Sequence, residues 1–329
     1  MLNLPGAINK KLDNAANILI VGAGGGQDVL AGLPLYYTFL KQGRKVHLAN
    51  VTHTDFNTIR DHTEPLILDA ALLGANGIIT TPSTNFVEGY LSQFFKVAMN
   101  TDTTVWMLNS RVNVQGLKNA FERLVDHLKI DAIILVDGGV DSIMVGDEDG
   151  SGTMLEDTLT LAATRGLMNN GVKIPTLLAC IGFGTEIEEK LSHYRALENI
   201  ANITKQGGLY GSCSLVEYMN SFKFYKRACE YIWSQNGHKK SHISTRIILA
   251  AEGEFGNVHS YEPELENPVE ICISPLMNMY WFFEADAAVY NNQIIPHIES
   301  LPNFFETIQT AVPRIKNLKS RERKEFPYT

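Results

Sequence analysis

Two stretches of this chain place chemically capable residues at telling spacings. In the first, the apolar run Ile133–Val136 leads into Asp137, two glycines and Asp141, and Asp147, Glu148, Asp149, Glu156 and Asp157 follow closely. Crowded carboxylates repel one another unless a cation lies between them or one keeps its proton. Asp137 and Asp141 are therefore candidate ligands for a hard cation such as Mg2+, or a pair for acid/base work in which one raises the other's proton affinity. Asp147–Asp149 fits a solvated acidic loop, and Glu156 and Asp157 fit first-turn charge at a helix N-terminus.

The second stretch is glycine-rich. Gly22, Gly24, Gly25 and Gly26 close an apolar run beginning at Ile18, and Gln27 and Asp28 lead into a helical pattern. A backbone without Cβ atoms can approach a phosphate closely, and the next helix offers unpaired N–H groups, so these four glycines are candidate anion-cradle residues. Asp28 is a candidate ligand for a metal or a sugar hydroxyl, against the simpler role of a helix cap contributing about 1 kcal/mol. Arg111 could clamp a phosphate with its planar fork or form a structural ion pair.

Several familiar sites are excluded or weakened. A dinucleotide fingerprint needs glycine at position 27 and an acid ending the second strand; the chain has Gln27 and Asn50. Gly22, Gly24 and Gly26 also form a G-x-G-x-G run, but the flanking acids of an S-adenosylmethionine site are missing. His53 and His193 stand out among nine histidines, yet neither H-x-x-x-H nor H-E-x-x-H spacing occurs, and G-x-S-x-G is absent. Glu88 fits first-turn charge, Thr80, Thr81 and Ser83 offer hydroxyls, and Gly207–Ser212 is either a second set of backbone donors or the turn ending a helix.

The elements that position these residues alternate between short apolar runs and longer helical periods, the pattern of a mostly parallel sheet with helices on both faces. Strands are expected at Asn17–Val21, Lys45–Val51, Gly77–Thr81, Thr104–Leu108, Ala132–Asp137, Thr176–Ile181, Arg246–Ala251 and Val269–Ser274. Helices are expected at Asp28–Lys41, Glu88–Met99, Val114–Leu128, Leu155–Asn169, Tyr194–Gln206, Val216–Asn236 and Asn303–Val312. The aromatic segment Pro275–Phe283 fits a core helix, with an interface as the alternative. Seven strand ends carrying glycine or polar residues should then converge on one crevice: Gly22–Asp28, Thr52–His53, Thr80–Pro82, Asn109–Arg111, Asp137–Gly139, Gly182–Gly184 and Ala251–Gly253.

A net charge of −8 argues against a nucleic-acid surface, and a basic cluster at Arg314–Lys324 fits a solvated, peripheral tail. No run approaches the roughly 20 apolar residues of a membrane span, and residues 1–20 lack the pattern of an export leader. Cys180, Cys213, Cys229 and Cys272 show no C-x-x-C spacing, consistent with reduced thiols and a cytoplasmic setting. No linker divides the 329 residues, so one α/β domain is expected; oligomerisation is left open.

Taken together, Gly22–Asp28, Glu88–Ser92, Asp137–Asp141 with Gly146–Glu148, Gly182–Gly184 and Gly207–Ser212 resemble the domain of unknown function 1152 family, in order over roughly residues 15–290. The resemblance implies a Rossmann-like α/β protein and brings no activity with it. The residues themselves point to a hydrolase or group-transfer enzyme for a phosphorylated, nucleotide-like substrate, cleaving an ADP-ribose-type glycosidic bond or a phosphoester with Mg2+. A non-catalytic nucleotide sensor and an NAD(P)-dependent oxidoreductase are the alternatives.

Overall fold

The computed structural model describes residues 1–52, 54–83, 86–186, 190–235, 238–260, 269–299, 301, 317 and 321–324. His53, the helix expected at Asn303–Val312 and most of the basic tail lie outside the described residues.

The strands are β1 (Asn17–Gly22), β2 (Lys45–Thr52), β3 (Leu66–Asp69), β4 (Leu72–Ala75), β5 (Val105–Asn109), β6 (Ala132–Asp137), β7 (Met168–Asn169), β8 (Val172–Lys173), β9 (Thr176–Ile181), β10 (Leu209–Ser214), β11 (Gly256–Ser260), β12 (Val269–Ile273) and β13 (Met279–Glu284). The helices are α1 (Gly6–Lys11), α2 (Asp28–Ala31), α3 (Leu33–Lys41), α4 (Ile59–His62), α5 (Val87–Met99), α6 (Val114–Leu128), α7 (Leu155–Thr164), α8 (His193–Lys205), α9 (Asn220–Trp233), α10 (His242–Ala251), α11 (Ala285–Ala288) and α12 (Ile295–Ile298).

One nine-stranded sheet runs in the order β10-β13-β9-β6-β1-β2-β5-β4-β3. Its centre, β9-β6-β1-β2-β5, is parallel, and the antiparallel pairs β13/β10 and β4/β3 form its wings. Strands buried on both faces need apolar side chains at every position. Ile18 and Ile20 accordingly face one core with α3, α5 and α9, while Leu19 and Val21 face a second core with α6, α7 and α8. The chain therefore has the Rossmann-like architecture expected of it. From β1 it winds through β2 to β5 on one side, and from β6 to β9 on the other. The carboxyl ends of β1 and β6 thus border the switch point where such sheets bind ligands.

Several segments differ from their sequence patterns. Gly77–Thr81 is not a strand: Gly77 takes φ +77°, and the segment is held by Thr63 Oγ1 to the Ile78 carbonyl (2.5 Å) and Thr80 N–H to the His62 carbonyl (2.8 Å). The sheet wing comes instead from β3 and β4. Arg246–Ala251 is helical within α10, because Ser241 caps a full helical start that a short apolar run cannot reveal. Val269–Ile273 is a strand, but it pairs with β11 outside the main sheet. The Pro275–Phe283 segment supplies β13, not a helix; Phe282 and Phe283 bury on opposite faces. Gly207–Ser212 leads into the edge strand β10. The helix expected over Asp28–Lys41 is divided at Gly32, where a Cβ would stand 2.7 Å from Ile20 Cγ2.

No helix among the described residues is long and apolar enough to cross a membrane. Replacing Phe282, 1% exposed, with alanine should lower the unfolding free energy by about 3–5 kcal/mol in urea denaturation. A loss under about 0.5 kcal/mol, the scale of surface substitutions, would contradict the placement of β13 in the sheet.

Candidate functional site

The carboxyl ends of β1 and β6 open into a cavity of about 170 Å³ lined by Gly24, Gly25, Gly26, Gln27, Asp28, Ala31, Asp137, Gly138, Asp141, Thr153, Asp157, Glu186, Ser241, Ile243 and Ser244. Five of these residues are acidic and none is Lys, Arg or His. One carboxylate oxygen each from Asp28, Asp137 and Asp157 lies within 4.8 Å of the other two. In an octahedral Mg2+ site, with ligands at about 2.1 Å, neighbouring oxygens are roughly 3 Å apart and opposite ones roughly 4.2 Å. The 4.8 Å limit on the three aspartates lies just beyond the wider of these spacings.

Each acid is delivered by a different device. β6 carries Asp137 to the sheet edge, where Ser142 holds it through its hydroxyl and its N–H (3.2 Å). Asp141 begins the short 3-10 turn Asp141–Ile143 and accepts from Thr153 N–H (2.9 Å) and Oγ1 (2.8 Å). Asp157 projects from the first turn of α7; that helix is tied to the glycine loop by Thr160 Oγ1 donating to the Ala23 carbonyl (2.7 Å). Glu186 accepts from Val140 N–H (2.8 Å).

The glycines make room for these acids. A Cβ at Gly24 would stand 2.7 Å from Asp157 Oδ2 and 2.9 Å from Asp28 Oδ2; one at Gly138 would stand 2.8 Å from Asp28 Oδ1; one at Gly139 would stand 2.6 Å from Glu186. The Gly24 N–H donates to Asp28 Oδ2 (2.8 Å), so this loop donor serves the protein's own carboxylate. Gly22 packs against Asn50 and the start of α2 and does not line the cavity. Asn50 is buried, donating to the Gly26 carbonyl (3.1 Å) and to Glu88 Oε1 (2.7 Å). Glu88 is thus an internal partner and not simple first-turn charge.

Burial, and then the charges of Asp141 and Asp28, push the Asp137 carboxyl well above its ordinary value of 3.8. Burial, and then Asp141, Asp137 and Asp28, do the same to Asp157. Asp141 is raised by burial as well, with Thr153 opposing. The Asp157 Oδ1 atom is buried without a hydrogen-bond partner.

Of the residues the sequence singled out, Gly24, Gly25, Gly26, Asp28, Asp137 and Asp141 meet at the cavity. Arg111 does not: it pairs with Asp55 at 3.1 Å, with its side chain 57% exposed, which is the structural ion pair and not the clamp. Thr52 and the strand ends at Thr80–Pro82, Asn109–Arg111, Gly182–Gly184 and Ala251–Gly253 are likewise not among the lining residues, so two of the seven expected ends, Gly22–Asp28 and Asp137–Gly139, reach the cavity. His193 is half-buried beside Phe183 at the start of α8, and burial followed by Arg323 lowers its proton affinity. Glu148 is buried, contrary to a solvated loop, and Arg321 reaches it at 2.8 Å while also meeting Asp147 and Glu198.

Sequence reasoning missed Asp157, Glu186 and the Ser241–Ser244 turn. Asp157 shares a helical face with Thr160, Leu161 and Thr164, all buried, a placement that its first-turn position does not reveal. Glu186 lies two residues past Gly182–Gly184, a strand end the sequence did mark. Ser241–Ser244 was hidden by the strand pattern of the following residues.

Over residues 68–317 the chain matches the family described as Protein of unknown function (DUF1152), and it belongs to that family. The matched range contains Asp137, Asp141, Asp157, Glu186 and Ser241 and begins beyond the glycine loop. No curated protein and no solved structure matches the chain.

Asp137 and Asp157 bind protons more readily in the folded chain than in the unfolded one. Their contribution to ion-free stability is complete below the ordinary carboxylate value and is lost as pH rises through the raised values. Urea denaturation of chelator-treated protein should therefore show stability falling as pH rises above the ordinary carboxylate range, with Asp157→Asn flattening the fall and raising stability at its upper end. Stability that rises over this range in both proteins would contradict the electrostatics described.

Proposed function

Taking membership of a family without an assigned activity as the premise, we propose that this chain is a divalent-cation-dependent hydrolase of a phosphorylated, nucleotide-like small molecule, with Mg2+ held by Asp28, Asp137 and Asp157. The observation that carries this reading is the convergence of the three carboxylates in a cavity whose lining has no basic side chain. A hard cation is the occupant that relieves their repulsion. The glycines at positions 24, 138 and 139 support it, since a larger residue at any of them would collide with a carboxylate.

A bound cation of this kind polarises a phosphoryl or glycosidic oxygen and lowers the pKa of water. Asp28, Asp137 and Asp157 would fix its position. Asp141, in the same cavity and with raised proton affinity, is the group placed to accept a proton from an attacking water. The same cavity suits phosphoester and ADP-ribose-type glycosidic cleavage. Binding of the same ligand without turnover, as in a sensor, is favoured by one observation: both Thr153 donors already engage Asp141, as they would if its role were to order the loop. A nicotinamide cofactor is the weaker reading, because the residue ending β2 near the loop is Asn50, committed to Gly26 and Glu88.

Thermal denaturation of chelator-treated protein should shift upward with Mg2+ or Mn2+; a ligand at 100 times its dissociation constant adds about 2.7 kcal/mol. In a turnover screen with nucleoside phosphates and ADP-ribose, Asp137→Asn should abolish product formation and Arg111→Ala should leave it unchanged. Turnover that survives chelation would contradict the cation reading, and cation binding with no turnover of any phosphorylated substrate would favour the sensor.

A further inference from the structure

Residues 144–152, the loop between the 3-10 turn Asp141–Ile143 and α7, do not line the cavity, yet they set where two of its acids stand. The two ends of the loop are joined by Asp141, which accepts from Thr153 N–H and Oγ1. Gly152, at φ +66°, passes so close that a Cβ there would stand 2.9 Å from Asp141 Cβ. α7 starts two residues after Thr153, and Met154 at its N-cap supplies no side-chain hydrogen bond to the open N–H groups of the first turn. Asp157 projects from that turn, so its position depends on how firmly the preceding loop is held.

The middle of the loop is held by the basic tail. Arg321 and Glu148 form a parallel bridge, in which Arg321 N–H donates to the Asp147 carbonyl at 2.5 Å and Asp149 N–H donates to the Arg321 carbonyl at 3.0 Å. The Arg321 guanidinium commits its three nitrogens to three different carboxylates: Nε to Asp147 (2.7 Å), Nη1 to Glu198 (2.6 Å) and Nη2 to Glu148 (2.8 Å). The Glu148 carboxylate is buried and folds the loop by accepting from Val145 N–H (2.8 Å) and Gly146 N–H (2.7 Å), while Asn199 of α8 donates to it at 2.7 Å. Arg195 of α8 secures the tail itself, with Nε (3.1 Å) and Nη2 (2.6 Å) both donating to the Glu322 carbonyl.

These contacts are mutually dependent. With the tail undocked, Asp147, Glu148 and Glu198 would keep Arg195 as the cation of the network, bonded to Glu198 at 2.8 Å, and the Glu148 carboxylate would be left buried without a charged partner. Breaking a buried ion pair on one side is strongly unfavourable, so the loop cannot keep this arrangement without Arg321.

We propose that residues 321–324 are a latch whose docking is coupled to the cation site, with Arg321 the positioning residue that holds loop 144–152 and, through it, Asp141 and Asp157. The proposal rests on the cation reading above. Coupling between two sites is reciprocal: if the docked tail favours the cation, the cation favours the docked tail. Removing Arg321 also has two effects of opposite sign. Loss of a positive charge from a chain of net charge −8 by itself favours a bound cation, whereas loss of positioning weakens its binding.

The test is calorimetric titration of the full chain with Mn2+ in wild type, Arg321→Ala and Lys324→Ala. Lys324 lies in the same tail with its Nζ 5.9 Å from the centre of the Tyr194 ring, away from the three carboxylates that Arg321 joins. Arg321→Ala should weaken Mn2+ about fivefold or more, and Lys324→Ala should stay within about twofold of wild type. Hydrogen exchange of the wild-type chain, read by mass spectrometry, supplies the reciprocal arm and needs no variant. Saturating Mn2+ should slow exchange in the peptides containing the Asp149 and Arg321 amides about fivefold or more. Mn2+ affinity in Arg321→Ala equal to or tighter than wild type, or exchange at these amides unchanged by Mn2+, would overturn the latch and leave the cation reading standing. Absence of Mn2+ binding in wild-type protein would overturn both.

Discussion

Like charges brought together in a protein interior oppose folding, and at the β1–β6 switch point this chain gathers four aspartates and a glutamate around one cavity. For two ionised carboxylates at 4.8 Å, the outer limit for the Asp28–Asp137–Asp157 group, an effective dielectric of about 20 gives roughly 3–4 kcal/mol of repulsion. Whole domains are stable by only about 5–15 kcal/mol. The local architecture follows from holding these groups at that distance. Gly24, Gly138 and Gly139 lack the Cβ atoms that would collide with them. Proton uptake by Asp137 and Asp157 eases the repulsion when no cation is bound.

Around the acids, hydroxyls and amides fix orientation. Ser142 holds Asp137, Thr153 holds Asp141, and Thr160 ties α7 to the glycine loop. On the far side, Asn50, which also donates to Glu88, holds the Gly26 carbonyl from within the core. Asp28 is bonded by Gly24, and the next turn of chain is anchored by Tyr280 of β13, whose hydroxyl donates to the Ala31 carbonyl at 2.5 Å. The antiparallel wing therefore supports the site as well as extending the sheet. This is the arrangement that a site of fixed geometry needs: groups on rigid elements, each restrained by its own partners.

Legibility in the sequence divides by the range of the interaction. The parallel centre of the sheet, and the meeting of Gly24–Asp28 with Asp137 and Asp141, could be read because an apolar strand ending in glycine and acid is a local pattern whose place in such folds is fixed. Asp157 could not be separated from ordinary first-turn charge without knowing which face of α7 turns inward. α10 was obscured because Arg246–Ala251 is too short an apolar run to distinguish helix from strand. β13 and β10 were missed for a related reason: their antiparallel pairing is settled by partners far along the chain, and aromatic runs such as Met279–Phe283 bury equally well in either structure. The Arg111 clamp failed through a partner, Asp55, that lies in a separate loop.

The central claim is that three carboxylates from separate elements form one cation site. Anomalous diffraction from crystals soaked in Mn2+ tests it directly. The account predicts a single strong peak coordinated by oxygens of Asp28, Asp137 and Asp157 in wild-type protein, absent in Asp157→Asn. A cavity free of anomalous density in wild-type crystals at saturating Mn2+ would contradict it, and so would a peak held by other residues.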